Sequence, residues 1–119
     1  MSKLSFLCVH AEETICRLVS EVFADVEVVS AATIEAARAL MEEMRFDLYL
    51  LHERVMNGSG VDLCRFIKEK DPDKPVLFVG GSARISPHEM CAAGAHGHVP
   101  LGSSFVTDLE AKVEEALER

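Results

Sequence analysis

The run Phe46-Asp47-Leu48-Tyr49-Leu50-Leu51 closes on His52 and passes into the turn-rich stretch Glu53 to Gly60, ERVMNGSG. After Asp47 the run Leu48 to Leu51 is continuously apolar instead of alternating. That pattern predicts a central strand covered on both faces, as in a parallel sheet with helices on each side. The Asn-Gly and Ser-Gly pairs that follow break both the strand and the helix period, so residues 53–60 read as a loop.

Working outward, Leu4 to Val9 reads as a buried strand, followed by a helix through about Phe23 with Ile15, Leu18, Val19 and Val22 at helical spacing. Val26 to Val29 is a second strand. Thr33 can cap a helix carrying Ile34, Ala37, Met41 and Met44 on one face. Beyond the loop, Val61, Leu63, Phe66 and Ile67 mark a third helix that ends at Asp71-Pro72. Pro75 to Val79 (PVLFV) is a fourth strand, Gly80-Gly81 its flexible exit, and Ser86-Pro87 an N-cap followed by proline in the first turn. Gly94 can close that short helix in a left-handed conformation. His98 and Val99 form a brief fifth strand, and Phe105, Leu109, Val113 and Leu117 line a terminal helix.

Strands alternating with helices imply a parallel sheet with right-handed crossovers, a doubly wound five-stranded α/β domain. With 119 residues the chain is one domain, spanning 1–119, which a longer protein can carry as one module. The hydrophobic fraction of 49% fits a folded core. Twelve Lys plus Arg against 20 Asp plus Glu leave a formal charge of −8, which repels nucleic-acid phosphates and anionic membranes. No apolar run approaches the ~20 residues of a membrane helix, and Met1-Ser2-Lys3 leads straight into a strand pattern. The pattern predicts a cytoplasmic domain that binds neither nucleic acid nor membrane. Cys8, Cys16, Cys64 and Cys91 lack Cys-x-x-Cys spacing and read as small hydrophobes.

Nearly the whole chain resembles the receiver domain of bacterial two-component response regulators. The resemblance rests on FDLYLL, on the loop through Asn57, Gly58, Ser59 and Gly60, on PVLFV, and on Ala93-Gly94-Ala95-His96-Gly97-His98-Val99. It implies the flavodoxin-like strand order 2-1-3-4-5, which periodicity alone does not select. It also implies a reactive site at the strand ends. Receivers place an acidic pair after the first strand to hold Mg²⁺, an aspartate after the third to accept phosphate, Ser or Thr after the fourth, and Lys before a proline after the fifth.

On that pattern the acidic pair falls on His10 and Ala11, the phosphoacceptor on His52, the hydroxyl on Gly80 and the lysine on Leu101. The proline position is Gly102 and the aromatic switch position His98. Mg²⁺ requires oxygen ligands, and phosphoryl transfer requires charge neutralisation around its oxygens. Neither is supplied by His10, His52, Gly80 or Leu101. The resemblance thus implies a pseudo-receiver, a phosphorylation-independent interaction module that uses no Mg²⁺ or other cofactor.

One alternative makes His10 and His52, with Glu12 and Glu53, a transition-metal site. Another is a phosphorelay carrier with unusual phosphoacceptor chemistry. An enzyme finds no support, because Ser59 and Ser82 lack a nucleophile-elbow context and Gly80-Gly81 lacks a dinucleotide fingerprint. The resemblance places the partner surface on the face built from the fourth helix, fifth strand and terminal helix. Residues 104–119 carry Asp108, Glu110, Glu114, Glu115 and Glu118 against Lys112 and Arg119, a charge of −3. Glu110 and Glu114 therefore suit a protein partner with a basic patch better than a second copy. Oligomeric state stays open.

Overall fold

The computed structural model describes residues 4–10, 12–52, 54–55, 58–80 and 87–117. The chain runs β1 (Ser5–Val9), α1 (Glu13–Val22), β2 (Glu27–Ala31), α2 (Ile34–Glu43), β3 (Leu48–Leu51), β4 (Arg54–Val55), β5 (Gly58–Ser59), α3 (Gly60–Lys70), β6 (Val76–Val79), α4 (Pro87–Ala92), β7 (Gly97–Val99) and α5 (Phe105–Leu117). The five long strands form one parallel sheet in the order β2-β1-β3-β6-β7. This is the expected 2-1-3-4-5 order once the two-residue strands β4 and β5 are set aside.

Those two strands correct the loop reading of residues 53–60. Arg54 pairs with Ser59 and Val55 with Gly58 in an antiparallel ribbon, too short to leave a period in the sequence. Asn57 lies outside the described residues. The second strand is also shifted toward Ala31, because its pairing with β1 runs from Ser5 opposite Glu27 to Val9 opposite Ala31. Val26 instead donates its N–H to Phe23 in the turn after α1.

Local signals otherwise fall where the residues place them. The Thr33 hydroxyl accepts from the Ala36 N–H at 3.0 Å, and Ser59 does the same for Val61 at 3.1 Å, so each caps its helix. Gly94 adopts φ +103° after α4. Pro87 opens α4, while Ser86 and Gly81 lie outside the described residues.

Alternation along the strands divides the core in two. Leu7, Val9, Tyr49, Leu51, Val76 and Phe78 face α2 and α3. Phe6, Cys8, Leu48, Leu50, Leu77 and Val79 face α1 and α5. Both faces of β3 and β6 are fully buried, which explains their unbroken apolar runs. Among the described residues no helix is long and apolar enough to cross a membrane.

Candidate functional site

The chain passes from β1 to β2 on one side and to β3 on the other, so the C-terminal ends of β1 and β3 flank the point where strand order reverses. Open α/β sheets bind ligands at such a point. His10 follows β1 and His52 follows β3. Their backbones are fixed by the sheet, since His10 N–H donates to Ala31 and His52 N–H to Val9, both at 3.0 Å.

Parallel pairing brings the two rings together, with centroids 4.2 Å apart and planes inclined by 44°. His10 is 5% exposed and His52 is half-buried. The Nδ1 atom of His10 accepts from the Glu12 N–H at 2.9 Å. In the neutral ring an accepting Nδ1 leaves the proton on Nε2. That buried Nε2 has no hydrogen-bond partner among the described residues. Burial chiefly, and then repulsion from His52, push the His10 pKa down to about 4 against the opposing pull of the Glu12 carboxylate. The ring is neutral at neutral pH.

Gly80 ends β6 with φ +73°, a left-handed conformation that suits a residue without Cβ. Its N–H donates to Val99 at 2.7 Å, and its carbonyl accepts from His98 Nε2 at 2.8 Å. A Cβ at this position would meet Leu101 Cδ1 at 3.1 Å, Leu101 Cγ at 3.2 Å and His52 Cδ2 at 3.6 Å. Leu101 therefore lies over Gly80 and beside His52.

The structure thus gathers His10, His52, Gly80, His98 and Leu101 at one end of the sheet. Ala11 and Glu53 lie outside the described residues. Glu12 joins through its backbone N–H, while its side chain is exposed and makes no cap for α1. Among the described residues no three His, Cys, Asp or Glu side chains converge to hold an ion, and Glu53, the fourth residue of the expected metal set, lies outside them. In this tautomer His10 Nδ1 is engaged by the Glu12 N–H and Nε2 carries the proton.

Glu110 and Glu114 are far from this end. They border a groove with Leu4, Phe6, Phe23, Val26 and Leu117, on the α1 side of α5. The opposite side of α5 carries Lys112, beside Gly97, and Glu115, 3.6 Å from His96. Expectation had placed Glu110 and Glu114 on the α4 side, but residues two positions from Lys112 project across the helix from it. The sequence also gave no hint that Cys8 and Cys16, eight positions apart, have touching thiols.

Residues 6–100 match the response regulator receiver domain family. Over 50 residues, 42% of this chain and 11% of the relative, the chain is 38% identical to response regulator protein PilR of Pseudomonas aeruginosa. The receiver domain of NtrX from Brucella abortus superposes with a TM-score of 0.84 at 25% identity, covering 95% of this chain and 98% of that one. A CheY-like receiver domain protein from Methanospirillum hungatei gives 0.88 at 24% identity, over 98% and 95% of the two chains. A longer NtrX structure from Brucella abortus gives 0.87 at 24% identity over 98% of this chain and 27% of its own. The chain therefore spans a minor part of PilR and of the longer NtrX. With four-fifths of its length matched, the chain belongs to the response regulator receiver domain family.

Proposed function

We propose that this receiver domain signals through protein contacts without phosphorylation of its strand-end site. The observation that supports this reading is the way the site is filled. The neutral, buried ring of His10 packs against His52, and Leu101 covers Gly80. An incoming phosphoryl group needs oxygen ligands for Mg²⁺ and positive charge at its own oxygens. The described side chains at this end offer imidazoles, a leucine and the single exposed carboxylate of Glu12. The domain thus acts by binding rather than by catalysis, and neither Mg²⁺ nor a transition metal takes part.

The partner is a protein. The exposed acids Glu110 and Glu114, beside the apolar groove of α1 and α5, suit one that presents basic side chains around an apolar contact.

Acetyl phosphate with Mg²⁺, followed by intact mass, tests the central claim. The mass is expected to stay unchanged under conditions that label a phosphorylatable receiver stoichiometrically. A stoichiometric adduct on His52 overturns the proposal in favour of a phosphorelay carrier.

A further inference from the structure

Cys8 is the fourth of the five residues of β1, where alternation turns it toward α1, and Cys16 is the fourth residue of that helix. Their Sγ atoms are 3.0 Å apart, and Cys16 Sγ is also 3.5 Å from the Cys8 carbonyl oxygen, to which its S–H donates. A disulfide bond is about 2.05 Å long, so roughly 1 Å of approach joins the pair. Cys8 is 1% exposed and Cys16 4%.

The two thiols differ in access and in acidity. Cys16 borders a surface cavity of about 200 Å³ with Glu13, Arg17, Ser20, Val28 and Ser30, and Cys8 does not. A small oxidant therefore meets Cys16 first. Cys16 is also the more acidic partner: the Cys8 thiol stabilises its thiolate by hydrogen bonding, and this outweighs burial and the Glu13 carboxylate. The same hydrogen bond, followed by burial, holds Cys8 protonated well above the ordinary thiol range. Cys64 provides a contrast. Burial raises its pKa to about 11, and its Sγ donates to the Ala93 carbonyl at 3.5 Å.

We propose that Cys8 and Cys16 are a reversible oxidation site, in which a hydroperoxide reacts at Cys16 and Cys8 closes the disulfide. The Cys16 thiolate attacks one peroxide oxygen, the O–O bond breaks, and the departing alkoxide takes a proton to leave as an alcohol, or as water from hydrogen peroxide. Cys16 is then a sulfenic acid. Cys8 sulfur attacks Cys16 sulfur as the S–O bond breaks, and the hydroxide released takes the Cys8 proton to leave as water. Two thiols have lost two electrons and the peroxide has gained them. In a reducing compartment the pair returns to dithiol, the behaviour of a sensing disulfide rather than a structural one.

The consequence lies in what the bond would enclose. Residues 8–16 form a covalent ring that contains His10 and Glu12, the two residues joined at Nδ1. Oxidation would thereby constrain the β1 side of the strand-end site without any chemistry at His52. This gives the domain an input that is independent of the phosphorylation reading above.

The test treats the reduced chain with hydrogen peroxide, blocks remaining thiols with an alkylating agent after unfolding, and reads intact mass and peptide map. The expected product has lost about 2 Da before alkylation, links Cys8 to Cys16, leaves Cys64 alkylated and reverts with dithiothreitol. Cys8→Ser, which keeps a hydrogen-bond donor beside Cys16 but cannot close a disulfide, should instead accumulate Cys16 sulfenic acid, trapped by dimedone. The wild-type map decides the matter even where that variant folds poorly. A cross-link through Cys64 or Cys91 overturns the proposal, as does sulfinic acid at Cys16 without a cross-link. So does protection of both thiols at peroxide doses that oxidise the urea-unfolded chain.

Discussion

His10 and His52 stand ring against ring at the ends of paired strands, their centroids 4.2 Å apart, one residue beyond the matched pair Val9 and Leu51. The contact is a product of sheet register. It places one buried, neutral imidazole and one half-buried imidazole where the reversal of strand order opens the sheet.

Stability should therefore depend on acid through His10. Its pKa is about 4 in the folded chain against an ordinary value of 6.5, so between these limits the unfolded chain binds a proton that the folded chain does not. The stabilisation is fully present above about pH 6.5 and is lost as pH falls toward 4. At roughly 1.4 kcal/mol per pKa unit, the loss is on the order of 3 kcal/mol. His10→Asn keeps an acceptor for the Glu12 N–H and removes the titration, so its urea-unfolding free energy should fall less over the same range. An imidazole that titrates by NMR near 6.5 in the native chain would remove the basis for this.

His52→Asp alone should leave the domain unphosphorylated by acetyl phosphate. The change supplies a nucleophile and one oxygen ligand, while His10 and Leu101 still provide neither a second ligand nor a cation. Efficient labelling of the single variant would mean that Glu12 or Glu53 serves as the missing acidic partner. Intact mass distinguishes the two outcomes.

Gly80→Ala should destabilise the fold by about 1–2 kcal/mol, the ordinary cost of a left-handed backbone for a residue with Cβ. The new methyl would also press on Leu101, which stands 3.1 Å from its position. Adding Leu101→Ala should recover the crowding and leave the backbone penalty, a non-additivity measurable by a double-mutant cycle in urea. A Gly80→Ala variant as stable as wild type would show that the φ of +73° is readily relaxed.

Reversing charge at both Glu110 and Glu114 should weaken capture of the partner by tenfold or so, since two exposed charge contacts are worth about 1 kcal/mol or more together. Added salt should weaken capture by the wild type as well, because exposed pairs are screened beyond about 8 Å at physiological ionic strength. Capture that survives both treatments, with an unchanged circular dichroism spectrum, would move the working surface away from the α1 side of α5.

What the residues determine by themselves is local. Leu48–Leu51 and Val76–Val79 are apolar on consecutive positions because helices cover both faces, and that burial leaves its mark directly in the chain. The Thr33 cap and the left-handed Gly94 are likewise legible, since each satisfies a constraint within a few residues. Strand order entered through resemblance, because helical and strand periods say which face is apolar and not which strand lies alongside. The ribbon of β4 and β5 is too short to have a period. Only the tertiary structure decided that His10 meets His52 and gives its Nδ1 to Glu12, that Leu101 covers Gly80, and that Cys8 touches Cys16. It also decided which side of α5 carries Glu110 and Glu114 toward α1. These are contacts between elements, fixed by sheet register and by how helices pack on its faces, and no local pattern of residues encodes them.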